Sequence, residues 1–303
     1  MRGLGVEVGI GVGVVVFIGV SVTVEVALGS GVDVGSGAFG TQATRMIPMR
    51  MKITERFIPT PYCLFHLEYD SRMNTNLHRW DLSPDEAVRL QKELRERLVL
   101  HWDKRPVKTI GGVDISIKPE VARAAIVVIR FPELTPVEAV TADVPLVFPY
   151  IPGLLSFREG PAVLAAWEKL QTKPDLLMFD GQGIAHPRGL GIAAQMGLWL
   201  QLPTIGVAKS RLYGKHEEVG PQRGDHVELR DKNGTVIGTV LRLREKTNPL
   251  YVSPGHLMDV EHAAKFVLAC GAGYRLPEPT RWAHKVAGGE KLPGAEGDQL
   301  RLL

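Results

Sequence analysis

The sequence predicts a single α/β domain: a mixed β-sheet with an antiparallel edge and helices packed against it. Three observations lead there. Three strand-like segments follow one another closely between residues 109 and 144, a spacing that suits an antiparallel meander. Helical and strand-like patterns then alternate up to residue 210, which suits strands joined by crossover helices. Hydrophobic content of 45% with 23% charged residues is ordinary for a globular chain, and no internal repeat is visible.

The first helix is expected over 84–102. Ser83 is a good N-cap, Pro84 fits the first helical position, and Asp85 and Glu86 suit the positive end of the helix dipole. Val88, Leu90, Leu94, Leu98 and Val99 supply a one-sided apolar stripe. Strands are expected at 109–117 and 122–131, joined by a Lys-Pro-Glu turn, and at 136–144 after the Pro132–Pro136 break. Residues 149–161 read as a loop entering a helix over 162–170. LLMFD ends at Asp180 as a short buried strand, 189–201 reads as a helix, and PTIGVAKS (203–210) as a strand ending at Lys209. A hairpin of 227–231 and 235–244 turns at Lys232-Asn233-Gly234. A short strand LYVS, a helix over 259–269 and a Pro/Gly-rich tail complete the pattern.

Residues 1–72 stand apart. Gly and Val dominate residues 1–40, and the charge-free run 8–24, only 17 residues, is at the short limit for a membrane helix. Arg2 is the only basic residue ahead of it and no clean cleavage site follows, so a signal peptide is weakly supported. The expectation is a non-native or disordered extension, with Met46, Met49, Met51 and Met73 as alternative starts and no membrane partner. The domain then spans 73–285, and 286–303, polar and Gly-rich, is expected to be disordered. Net charge is +3, which permits contact with nucleic acid without arguing for it. Cys63 and Cys270 form no CxxC, so neither a zinc site nor a disulfide framework is indicated, and a reduced cytoplasm is the simplest compartment.

The chemistry concentrates in DGQGIAHPRGLG, 180–191. An acid ends a buried strand, and a loop with four glycines, a histidine and an arginine opens into a helix. Asp114 sits inside the apolar segment GGVDISI, where an acid is costly unless paired or bound to metal. Glu159 lies at the mouth of a helix in SFREGP. Taken singly, these acids read as a capped strand-edge residue, an N-cap and a dipole-satisfying glutamate. Together they are three carboxylates at one sheet edge, the oxygen ligands Mg²⁺ prefers. Such an ion activates water and stabilises an in-line phosphoryl displacement. Lys209 can offset phosphate charge or stand solvated. His186 can bind substrate or cap its loop, His256 can begin a helix, and His284 can orient water or lie idle on the surface.

Five motifs carry a resemblance. GGVDIS (111–116), PYIPGLLSFRE (149–159), DGQGIAHPRGLG (180–191), GVAKS (206–210) and LPEPTRWAH (276–284) are similar, in order and gaps, to those of the endonuclease V family. The resemblance implies an RNase H-like fold and a Mg²⁺-dependent, monomeric nuclease, Mn²⁺ substituting, whose partner is DNA containing deoxyinosine, with inosine-containing RNA as a further substrate. It implies nicking at the second phosphodiester bond 3′ to the lesion, leaving 3′-hydroxyl and 5′-phosphate ends. By resemblance Asp114 and Asp180 hold the metal, Glu159 positions a metal-bound water, and Lys209 and His284 contact the scissile phosphate or its nucleophile. Pro149, Tyr150, Ile151 and Pro152 resemble a wedge filling the space of an extruded base, a role for which a proline-stiffened aromatic is suited. Gly181, Gln182 and Gly183 are expected to read that base through backbone groups, with His186 nearby. The resemblance also makes Met73, 41 residues before Asp114, the natural start. Competing readings are another RNase H-like nuclease acting on RNA or branched DNA, a catalytically silent binder of modified nucleic acid, and a membrane protein resting on residues 8–24 alone.

Overall fold

The computed structural model describes residues 77–292. The Gly/Val-rich run, the alternative starts and the chain beyond 292 lie outside those residues. In chain order, α1 (Pro84–Arg95) precedes the strands β1 (Thr109–Ile117), β2 (Val121–Arg130) and β3 (Pro136–Pro145). Then α2 (Leu155–Lys169), β4 (Leu176–Phe179), α3 (Ile192–Leu200) and β5 (Thr204–Ala208) alternate. Strands β6 (His226–Arg230), β7 (Val236–Leu241) and β8 (Leu250–Pro254) lead to α4 (Val260–Ala269) and α5 (Glu278–Ala287).

One eight-stranded sheet results, in the order β3-β2-β1-β4-β5-β8-β7-β6. The meander β1-β2-β3 is antiparallel as expected, β1-β4 and β4-β5 are parallel, and β8 returns antiparallel to β5. Each face carries its own core. Leu94, Val163, Trp167, Phe179 and the apolar side chains of α3 fill one. Ile110, Met178, Val252, Val267 and Ala283 fill the other, under α4 and α5. Alternation along β1 sends Val113 into the first core and Ile110 into the second, so Asp114 projects on the α5 side.

Three expectations need correction. Helix α1 has its capping box, with Glu86 N–H donating to Ser83 Oγ and the Ser83 N–H to Glu86 Oε2, but it stops at Arg95 instead of 102. The chain leaves the helix because distant partners hold it: Val99 N–H donates to His256 Nδ1, Trp102 N–H to Asp259 Oδ2, and Trp102 is buried in the second core. Helix α2 begins at Leu155, not at 162, and runs through Pro161. Proline removes one helical hydrogen bond, and burial of Phe157, Ala162 and Val163 on either side of it offsets that loss. Finally, the supposed tail contains α5, whose Pro279 sits in the first turn, where proline begins helices instead of breaking them.

Helix α5 is seated by a glycine. A Cβ on Gly112 would overlap the Pro279 carbonyl, so β1 and α5 touch backbone to backbone there. This contact brings the next turn of α5, with His284, over the end of β1.

Candidate active site

The parallel register places the two acids. Val113 pairs with Phe179, and Asp180 N–H donates to the Val113 carbonyl at 2.9 Å. Asp114, within β1, and Asp180, just past the end of β4, therefore sit side by side on adjacent strands, which run about 4.8 Å apart. Helix α5 adds His284, whose Nδ1 lies 2.7 Å from Asp114 Oδ2. The other oxygen, Asp114 Oδ1, accepts the Ile115 N–H at 2.9 Å. Lys209, just past the end of β5, forms an ion pair with Asp180. One ligand atom each from Asp114, Asp180 and His284 lies within 4.8 Å of the others.

Glu159 stands outside this trio on α2, in the second turn and not at its mouth. It is buried, and its carboxyl takes no hydrogen bond among the described residues. Desolvation, then the charge on Asp114, pushes its pKa up to about 8. Burial and the nearby Asp180 charge likewise raise Asp114, against the opposing effect of His284. So much carboxylate with so little compensating charge is a set that a divalent cation satisfies. Asp114 and Asp180 supply hard oxygen ligands, and His284 a nitrogen that Mn²⁺ also accepts.

The strained electrostatics predict a pH effect on stability. A glutamate whose folded pKa lies above its unfolded value favours the fold while protonated, and that contribution is lost as pH rises through the folded pKa. With metal withheld by EDTA, stability should fall between about pH 4.5 and 8. Glu159→Gln should flatten this dependence and raise the melting temperature at pH 8 by about 5 °C. A melting series over that pH range checks it, and an unaltered slope would contradict the charge assignment.

The loop that follows Asp180 helps to line a cavity of about 140 Å³, with Tyr150, Ile151, Pro152, Ser156, Gln182 and His186 among its walls. Tyr150 is 70% exposed at its rim. The loop holds it out because its flanks are pinned: Phe148 and Leu154 are buried together with Phe157, and Arg158 Nη1 donates to the Phe148 carbonyl. Gly153, at φ +81°, makes the turn between the loop and α2. Pro149 is exposed alongside.

Of the expected base readers, Gln182 lines the cavity, while Gly183 has its backbone committed inside the fold. Gly183 N–H donates to Ser253 Oγ, its carbonyl accepts from Gly191 N–H, and a Cβ there would overlap the Pro254 carbonyl. A Cβ on Gly181 would crowd Ile192. The close approach these glycines allow is therefore to neighbouring elements. His186 is also occupied: Nε2 donates to the Gly153 carbonyl, Nδ1 accepts from Arg188 N–H, and burial lowers its pKa to about 4. It braces the Tyr150 loop against the glycine loop. His256 lies buried beside Thr204, well away from any helix cap role.

Sequence reasoning passed over Gln91, Ser156 and Gln195. Gln91 Nε2 donates to the carbonyls of Gly153 and Leu190, joining the same two loops from α1. Its signal was present: a polar residue beside the apolar stripe of α1. Gln195 is the single polar side chain in α3, a helix buried on every side.

Known proteins supply an independent comparison. The Endonuclease V family model matches residues 92–285. Endonuclease V of Trichormus variabilis is 49% identical over 213 residues, covering 69% of this chain and 96% of the relative. The crystal structure of endonuclease V from Streptomyces avermitilis superposes with a TM-score of 0.66 at 39% identity, covering 69% of this chain and 93% of that one. Endonuclease V of Ciona intestinalis, solved with a 24mer DNA containing an inosine followed by a ribo-adenosine, aligns at 28% identity and a TM-score of 0.59, over 67% and 95% of the two chains. The mixed sheet with its flanking helices is thus an RNase H-like fold.

Proposed function

The chain belongs to the endonuclease V family, and from that premise we propose a DNA repair endonuclease that recognises deoxyinosine. It hydrolyses the second phosphodiester bond 3′ to the lesion, leaving 3′-hydroxyl and 5′-phosphate ends, with Mg²⁺ as the resident ion. One observation carries the reading: Asp114, Asp180 and His284 converge, and the loop that follows Asp180 lines a cavity with an exposed aromatic at its rim.

Asp114 and Asp180 would hold the cation, with Glu159 near enough to position water. A bound divalent ion supplies charge for the phosphate oxygens and acidifies water. The remaining work falls to the chain. Lys209, a third exposed, neutralises a phosphate drawn toward Asp180. His284 is fixed through Nδ1 by Asp114, which leaves Nε2 to exchange a proton with water or the leaving group. Tyr150 stacks in the gap left by an extruded base, and extrusion costs least for a poorly paired one such as hypoxanthine.

Labelled duplexes carrying inosine, uracil, an abasic site or no lesion, each with Mg²⁺ or EDTA, test this. Mg²⁺-dependent nicking confined to the inosine strand is expected. Equal cutting of undamaged duplex would remove the lesion specificity. Tyr150→Ala should weaken inosine-duplex binding by about tenfold or more, while leaving Mg²⁺ dependence unchanged. No change in binding would remove the wedge role. A second reading, cleavage of inosine-containing RNA, is favoured by the ribo-adenosine in the Ciona complex. An oligonucleotide with a ribonucleotide 3′ to inosine separates the two.

No helix among the described residues is long and apolar enough to cross a membrane.

A further inference from the structure

The buried polar residue of α3 has a defined electrostatic direction. His78 Nδ1 lies 2.8 Å from the Arg79 carbonyl, an acceptor only, so Nδ1 carries the proton. His78 packs among the rings of Trp80, Phe157 and Trp199, and its burial lowers its pKa, keeping the imidazole neutral. Its Nε2 is then an acceptor, and the Gln195 group 2.9 Å away must be the amide NH₂. This sets the amide's orientation: Gln195 Oε1 faces Ser156 Oγ at 2.6 Å and accepts from it. The single proton of Ser156 is thereby turned toward Gln195. Ser156 lines the cavity under Tyr150, and only lone pairs remain on its oxygen.

A second, independent group has the same polarity. Gln182, buried on the cavity lining, donates through Nε2 to the Ser210 carbonyl at 3.1 Å, which leaves Oε1 as the acceptor. That oxygen has no hydrogen-bond partner among the described residues. A buried unpaired acceptor is costly unless something satisfies it.

We propose that His78 and Gln195 are positioning residues that hold the Ser156 hydroxyl as an acceptor, so that this wall, with Gln182 Oε1, selects bases presenting a ring N–H. The inference rests on the cavity being the lesion-base site. Hypoxanthine carries N1–H where adenine has a bare nitrogen lone pair, so an acceptor that meets this ring position bonds the first and repels the second. Sites built to bond an N–H or O–H reject analogues lacking it far more strongly than apolar pockets reject a misfit.

The test compares single-stranded oligonucleotides with inosine or adenine at one position, so that pairing strength plays no part. Discrimination is the ratio of kcat/KM values with Mg²⁺, or of affinities in EDTA where adenine is not cut. Gln195→Leu and Ser156→Ala should each lower this ratio by about tenfold or more, and the double variant should lower it no further than the larger single effect. Equal losses on both bases, or an unchanged ratio, would overturn the inference. If Gln195→Leu does not fold, Ser156→Ala decides alone. Wild-type protein that leaves inosine uncut would instead remove the function on which the inference stands, an outcome distinct from intact cutting with an unchanged ratio.

Discussion

Asp180→Ala should lower cleavage of an inosine duplex by at least about 10³-fold, roughly 4 kcal/mol of barrier, while folding and lesion binding persist. The side chain sits at the edge of a strand and not in either core, so its loss opens no apolar cavity. Its ion-pair partner Lys209 is a third exposed and can turn to water. Asp114 is relieved of a neighbouring negative charge that raises its pKa. Fold stability therefore changes little, and the loss falls on catalysis. Single-turnover cleavage, paired with a melting curve and a binding isotherm, checks all three quantities. Activity within tenfold of wild type would remove Asp180 from the catalytic set. A collapse in melting temperature would assign it a structural role.

Gly112→Ala should be far more damaging than Gly111→Ala, although the two glycines are adjacent. At Gly112 the added methyl meets the Pro279 carbonyl and the start of α5, backbone that cannot turn aside. At Gly111 it meets Leu177 Cδ2 and Pro174 Cγ, side-chain ends that can give by small shifts. Overpacking of the first kind costs about 3 kcal/mol, or about 10 °C in melting temperature for a domain of this size. Because α5 carries His284, pushing it off β1 also breaks the 2.7 Å contact with Asp114. Cleavage should fall with stability at Gly112 and hold at Gly111. Equal effects at both positions would contradict the seating of α5.

Much of the sheet was legible from local pattern. Strands 109–117 and 136–144 agree with the observed ones to within a residue, because each is a bounded apolar run with turn residues between. The capping box of α1 was equally local. The helix ends were not. Arg95 ends α1 because His256 and Asp259, far along the chain, hold the segment that follows. Helix α5 was missed because its prolines read as breaks, and its helicity depends on a seat that only the folded sheet offers.

The sequence by itself determined the motif set and, through it, the family, since five ordered motifs are a property of the chain. It also determined which acids could share a sheet edge. The tertiary structure decided their partners: parallel register set Asp180 beside Asp114, and α5 set His284 against them. It also gave His186 and Gly183 partners within the fold, so that their donors and acceptors brace neighbouring loops. Where the Ser156 hydroxyl proton points was decided last, by a chain of hydrogen bonds ending at His78. The physical reason is common to these cases. Residue type states what a group can donate, accept or hold, whereas its direction and free valence depend on neighbours brought from elsewhere in the chain.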